Sequence, residues 1–173
     1  MSTASDDERD LMARLEVLYT SADPGALDAG ATVLAARLRE LGADAGFVAA
    51  VSSDGRTVEV ARVTPFSRAP VRLAFPADAP YPLAAAIRRN QPLFISSNDT
   101  LACDHPGLIR IRGEDHACAT FPLHDADGTV IGSANVSFED PREFSEAERA
   151  EIEQLFAACA YAMAQMQGRR EAE

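Results

Sequence analysis

Between Ala117 and Leu123 the apolar side chains fall on the odd positions Ala117, Ala119, Phe121 and Leu123. Between Val130 and Phe138 they fall on the even positions Val130, Ala134, Val136 and Phe138, with Gly132 among them. A period of two marks a strand with one buried face. The residues in between, Asp125-Ala126-Asp127-Gly128, carry turn chemistry, so the two runs predict a β-hairpin. With His124 opposite Thr129, Leu123 faces Val130, Phe121 faces Gly132 and Ala119 faces Ala134, and one side becomes uniformly apolar. The same register sets Thr120 against Ser133 and Cys118 against Asn135 on the other side. That polar side is either the solvated face of an antiparallel sheet or the floor of a ligand cavity.

After the hairpin, Pro141 breaks the strand and Ser145-Glu146-Ala147-Glu148 forms a capping box that must start a helix. Its stripe of Ile152, Leu155, Phe156, Cys159, Met163 and Met166 recurs at helical spacing and suits the hairpin's apolar face. Upstream, Leu11, Leu15 and Leu18 predict a helix over residues 6 to about 20. Asp23-Pro24 then reads as the cap and first turn of a second helix, with Leu27, Ala31, Leu34, Leu38 and Leu41 on one face until Gly42. Runs at 46–51 and 57–64, joined by Ser52-Ser53-Asp54-Gly55, predict another hairpin. Residues 71–75 form a further strand, 81–90 a short helix and 93–96 a brief strand, while 65–70 and 76–82 are too proline-rich for regular structure. The stretch 97–115 reads as a long irregular loop with a helical turn at 108–111, a length more common in functional loops than in plain connections.

The chain has 173 residues, the size of one domain spanning 1–173, with residues 1–5 and 168–173 expected as disordered tails. A formal net charge of -11 repels phosphate backbones and anionic membranes, so neither nucleic acid nor a membrane is an expected partner. All 16 basic residues are Arg. The lack of lysine removes Schiff-base chemistry, pyridoxal attachment and the phosphate-loop lysine. No apolar run reaches the ~18 residues of a membrane span, and the acidic start is unlike a signal peptide. A cytoplasmic location is expected, with Cys103, Cys118 and Cys159 as reduced thiols rather than bridges.

The order of these elements, and above all FPLHDADGTVIGSANVSFEDPREFSEAERAEIEQL, resembles the GAF domain family. Its closing pattern of a hydrophobic-Pro-Leu strand, Gly-turn, Ile-Gly strand and Phe-Ser-x-x-Glu helix start is present here. The resemblance implies an α+β, GAF-like (profilin-like) fold: a central antiparallel sheet of five to six strands, terminal helices on one face, and a ligand cavity with its loops on the other. It thereby favours the cavity-floor reading of the polar side. The ligand-binding positions it implies are Phe47, Asn98, Asp99, Cys103, His105, Arg110, Cys118, Thr120, Ser133 and Asn135, with 97–115 as a lid. It also implies a homodimer through the terminal helices. The residues left over hold no output domain, so a signalling partner protein is expected.

Three chemistries compete for that site. A binding module would hold a small molecule, and Arg110 and Arg112 would favour an anionic one. A thiol- or metal-dependent redox enzyme or redox sensor would use Cys103, His105, His116 and Cys118, which flank the lid. A dimerisation module would carry a vestigial pocket. The Cys-x-His spacings are tighter than structural zinc pairs, and the cysteine motif of the free methionine sulfoxide reductases within the family is absent. Catalytic and metal-ligating residues are therefore not expected. The lysine-containing cyclic-nucleotide constellation cannot be met and Cys103 is not adjacent to His105, so nucleotide, bilin, haem and zinc cofactors are not expected either; the ligand itself stays unknown.

Overall fold

A computed structural model of the protein describes residues 24–66, 69–110 and 117–172. The tail over 1–5, the helix over 6–20, Arg112 and His116 lie outside these residues. The described elements are α1 (Pro24–Ala35), α2 (Leu38–Leu41), β1 (Ala45–Val51), β2 (Thr57–Val63), β3 (Val71–Pro76), α3 (Pro82–Arg89), β4 (Leu93–Ile95), α4 (Asn98–Asp104), β5 (Ala117–His124), β6 (Val130–Phe138) and α5 (Glu146–Glu171). All strand pairs are antiparallel, in one six-stranded sheet of order β3-β2-β1-β6-β5-β4.

The apolar stripes meet on one face of that sheet. Val48, Ala119, Leu123, Ala134, Val136 and Phe138 pack beneath α1 and α5, against Leu27, Leu34, Ile152, Phe156, Cys159 and Met163. Each fully buried aliphatic or aromatic side chain contributes ~1.5–3 kcal/mol by leaving water. The capping box forms as expected. Ser145 Oγ accepts from the Glu148 N–H at 3.2 Å, and a Glu148 carboxylate oxygen accepts from the Ser145 N–H at 2.9 Å. These reciprocal bonds hold the Glu148 carboxyl below its usual range, aided by contact with Arg142.

The hairpin residues up to Leu123 and from Gly132 onward keep their predicted faces, whereas Val130, predicted opposite Leu123 on the apolar side, pairs with His124, and Ile131 packs against the helical core instead. The Asp125 N–H donates to the Thr129 carbonyl at 3.0 Å and the Gly128 N–H to the Asp125 carbonyl at 3.1 Å. Asp125 is therefore the residue opposite Thr129, in place of His124, and Gly128 closes the turn at φ 81°. His124 then pairs with Val130 and Leu123 with Gly132, leaving Ile131 as the extra residue of a β-bulge. The turn and the bulge each displace the register by one residue. Their sum restores the faces from Gly132 onward while setting Phe121 opposite Ala134, Thr120 opposite Asn135 and Cys118 opposite Ser137. Gly132 lets β6 close on β1, since a Cβ there would lie 1.8 Å from the Ala49 carbonyl oxygen.

Four further expectations are corrected. The helix predicted from 24 to 41 is interrupted after Ala35. The short α2 ends at Gly42 (φ 70°), whose N–H donates to the Arg39 carbonyl while the Ala43 N–H donates to that of Leu38. The predicted irregular loop contains α4, started by Ser97, whose Oγ accepts the Thr100 N–H at 3.2 Å. No helical turn forms at 108–110; instead the Ile109 N–H donates to the Pro80 carbonyl at 2.7 Å. Finally, α5 continues through Glu171, so the helix occupies most of the predicted 168–173 tail.

Candidate functional site on the second sheet face

The face opposite α1 and α5 carries three rows of side chains, each assembled across the strands. The central row runs Arg62, Phe47, Asn135, Thr120 and Leu93 from β2 to β4. On one side lie Ala45, Ser137, Cys118 and Ile95, and on the other Val60, Ala49, Ser133 and Pro122. Thr120, Ser133 and Ser137 are 0% exposed and Asn135 is 1% exposed, so these polar groups are sealed from bulk water. Solvation cannot explain them.

Local hydrogen bonds satisfy part of this floor. Ser133 Oγ donates to the Leu83 carbonyl on α3 at 2.9 Å, and Asn135 Nδ2 donates to Thr120 Oγ1 at 2.6 Å. Asn135 Oδ1, Ser137 Oγ and Tyr81 Oη are buried without a hydrogen-bond partner. Leaving a buried polar group unsatisfied costs ~1–3 kcal/mol, and most native proteins avoid it. Burial also pushes the Tyr81 phenol above its ordinary range, keeping it neutral. Tyr81 belongs to the cap over Phe47, its ring centroid 5.0 Å from that of Phe75, in a cluster completed by Val60, Leu83 and Ala84.

Of the positions expected from the sequence, Phe47, Cys118, Thr120, Ser133 and Asn135 come together on this floor. Cys118 sits in an apolar cluster with Ala85, Ala86, Ile95, Leu101 and Leu108. Asn98, Asp99 and Cys103 are exposed on α4, and His105 is the half-buried residue that ends it. Arg110 Nε donates to Asn98 Oδ1 at 2.6 Å, tying the chain after α4 back to its start. Cys159 lies under α5 on the other face, where burial pushes its thiol up to about 12. The cysteines thus occupy separate environments, and no group of three or more His, Cys, Asp or Glu capable of holding a metal occurs among the described residues.

Sequence reasoning missed Arg62, Ser137 and Tyr81. Arg62 shares the even positions of β2 with Val58 and Val60, a cation on an otherwise apolar parity. Ser137 continues the series Ser133, Asn135. Both signals were available in the alternation. Tyr81 reaches the floor only through the tertiary fold.

An antiparallel sheet with end helices on one face and a polar, covered floor on the other is the architecture of a GAF domain. The GAF domain family profile matches residues 27–164, and the chain belongs to that family. No curated protein matches it. Among solved structures it is similar to the GAF-B domain of DevS from Mycobacterium smegmatis, at 19% identity and TM-score 0.62, covering 86% of this chain and 99% of that one. The GAF domain of an Acinetobacter phosphoenolpyruvate-protein phosphotransferase gives 13% identity and TM-score 0.60, covering 87% and 99%. The free methionine-R-sulfoxide reductase from Neisseria meningitidis, solved with its substrate, gives 19% identity and TM-score 0.60, covering 100% and 98%. At these identities the likeness is one of fold. Among the described residues, no helix is long and apolar enough to cross a membrane.

Proposed function

We propose that this protein is a cytoplasmic sensory or regulatory module that binds a small molecule over the floor of Phe47, Cys118, Thr120, Ser133 and Asn135. Occupancy is passed through its terminal helices to a partner protein. One observation carries the reading: Asn135 Oδ1, Ser137 Oγ and Tyr81 Oη are buried and unpartnered in one layer of the molecule. A ligand with matching polar groups would recover the stability these atoms give up. With the floor sealed by α3 and its neighbours, ligand entry displaces part of that cover, including the segment from α4 to Arg110.

A non-catalytic role fits the thiols. Cys118 and Cys159 are fully buried, and Cys103 is exposed on α4 away from the floor. A homodimer through α5 is supported by an apolar groove of about 560 Å³ beside that helix, lined by Phe121, Phe156, Ala157 and Tyr161 among others. Tyr161 is 68% exposed on the same patch, so knob and hollow adjoin as a two-fold contact requires.

Native mass spectrometry of the freshly purified protein, followed by a metabolite thermal-shift screen, tests the reading. A retained or stabilising small molecule is expected, on a dimer. Stoichiometric metal, or turnover of a sulfoxide substrate dependent on Cys118, would replace it with the redox reading. A robust dimer that no compound stabilises would favour a vestigial pocket.

A further inference from the structure

The α4 cover and the start of α5 lie on opposite faces of the sheet, and β4 touches both. This strand is three residues long and stands at the edge of the described sheet, paired with β5. Its period of two divides it between the faces. Leu93 and Ile95 pack with Leu101 of α4 and with Leu108 beyond it. Phe94 joins the helical core, its ring centroid 5.4 Å from that of Phe121 and 5.5 Å from that of Phe144. The Arg149 guanidinium carbon, near the start of α5, lies 4.2 Å from the Phe94 centroid, within cation–π range.

The residues that follow β4 make a second tie. The Ser96 carbonyl accepts the Arg142 N–H at 3.0 Å, and the next residue, Ser97, caps α4. Arg142 in turn contacts one Glu148 carboxylate oxygen, while the other accepts the Ser145 N–H. Two adjacent serines therefore hold two helix starts, α4 through the Ser97 hydroxyl and α5 through Arg142. Short edge segments with few paired residues open at low free energy, whereas core strands do not. We propose that β4 is a mechanical link: displacement of α4 shifts Phe94 and Ser96, frees Arg149 and Arg142, and frays the first turn of α5. The inference rests on the binding-module reading for what displaces α4. A molecule entering beneath the cover is then registered at the capping box of the helix that passes the signal on.

Hydrogen exchange of the full chain without ligand, resolved by residue with NMR, tests the link. Leu101→Ala shortens a buried α4 side chain distant in sequence from the α5 cap. It is expected to speed exchange at the Glu148 and Arg149 amides, which donate to Ser145, about fivefold, the equivalent of a lost cap. The Phe156 and Cys159 amides should keep their rates. Coupling is reciprocal, so Glu148→Ala should speed by a similar factor the Leu101 and His105 amides, which donate to the Ser97 and Leu101 carbonyls. Should Leu101→Ala fail to fold, Ser97→Ala, which removes only the α4 cap, is read in its place. Variants that speed exchange only in their own helix, or that speed the mid-α5 amides as much as the first turn, overturn the link and leave ligand binding untouched. Reciprocal exchange beside a metabolite screen without a single hit would keep the link and remove the sensor reading.

Discussion

The two faces of the sheet use the same six strands under opposite rules. Beneath α1 and α5 the strands present Val48, Ala119, Leu123, Ala134, Val136 and Phe138, an apolar centre with polar side chains kept to the β2–β3 edge, where Arg72 pairs with Asp28 of α1. On the opposite face the same strands bury Thr120, Ser133, Asn135 and Ser137, and two of these retain unpartnered atoms. The first face is arranged for burial alone, with tight packing and large apolar area. The second forgoes stability to keep directed polar groups in a dry environment, where each hydrogen bond is worth more than in water. The two faces are therefore expected to answer mutation with opposite signs.

The largest effects belong to the helical face. Phe156→Ala removes a ring that is 2% exposed and 5.4 Å from Phe121, and should cost about 3–5 kcal/mol in urea unfolding. A cost under about 1 kcal/mol would show that this face is not the main core. Next, Ser145→Ala deletes the cap of α5 and should cost about 1 kcal/mol.

Glu148 makes the same contact pH-dependent. Its carboxyl is held below the ordinary 4.5 by the Ser145 N–H first and Arg142 after it. A depressed carboxyl stabilises the fold above its unfolded pKa and loses that contribution as pH falls through the folded value. Wild type should therefore exceed Glu148→Gln in urea midpoint at pH 7, with the gap closing below 4.5; a constant gap from pH 7 to pH 3 would refute the assignment.

The smallest effect, and the one of opposite sign, is on the polar floor. Ser137→Ala removes a buried hydroxyl that has no partner, so thermal unfolding should be unchanged or shifted upward by the equivalent of about 1 kcal/mol. Thiol labelling sharpens the contrast from another side. Cys103 should react in the native protein, while Cys118 and Cys159 stay protected until unfolding.

Much of this division was legible in the alternation of β5 and β6, because a period of two assigns faces without needing the pairing. The pairing itself was not legible. Whether His124 or Asp125 faces Thr129 depends on the αL conformation of Gly128, and the bulge that exchanges Val130 for Ile131 on the apolar face has no signature in two adjacent aliphatic residues. The α5 stripe and its capping box were readable because local chemistry sets both. Helix α4 was hidden by its shortness, although Ser97 with Asp99 in the first turn is a start signal. Arg62 was overlooked as one charge among apolar neighbours. Tyr81 joins the floor through contacts distant in sequence, which no local pattern reports.

The most direct test of the unequal faces is the urea unfolding free energy of the double variant Asn135→Leu/Thr120→Val, measured with its ligand affinity. Replacing both partners of a buried hydrogen bond with apolar groups of similar shape removes the orphaned Oδ1 together with its neighbour. The account predicts stability within about 1 kcal/mol of wild type or above it, with small-molecule binding abolished. A loss of more than about 2 kcal/mol with binding retained would show that these polar groups hold the fold together, and would contradict the account.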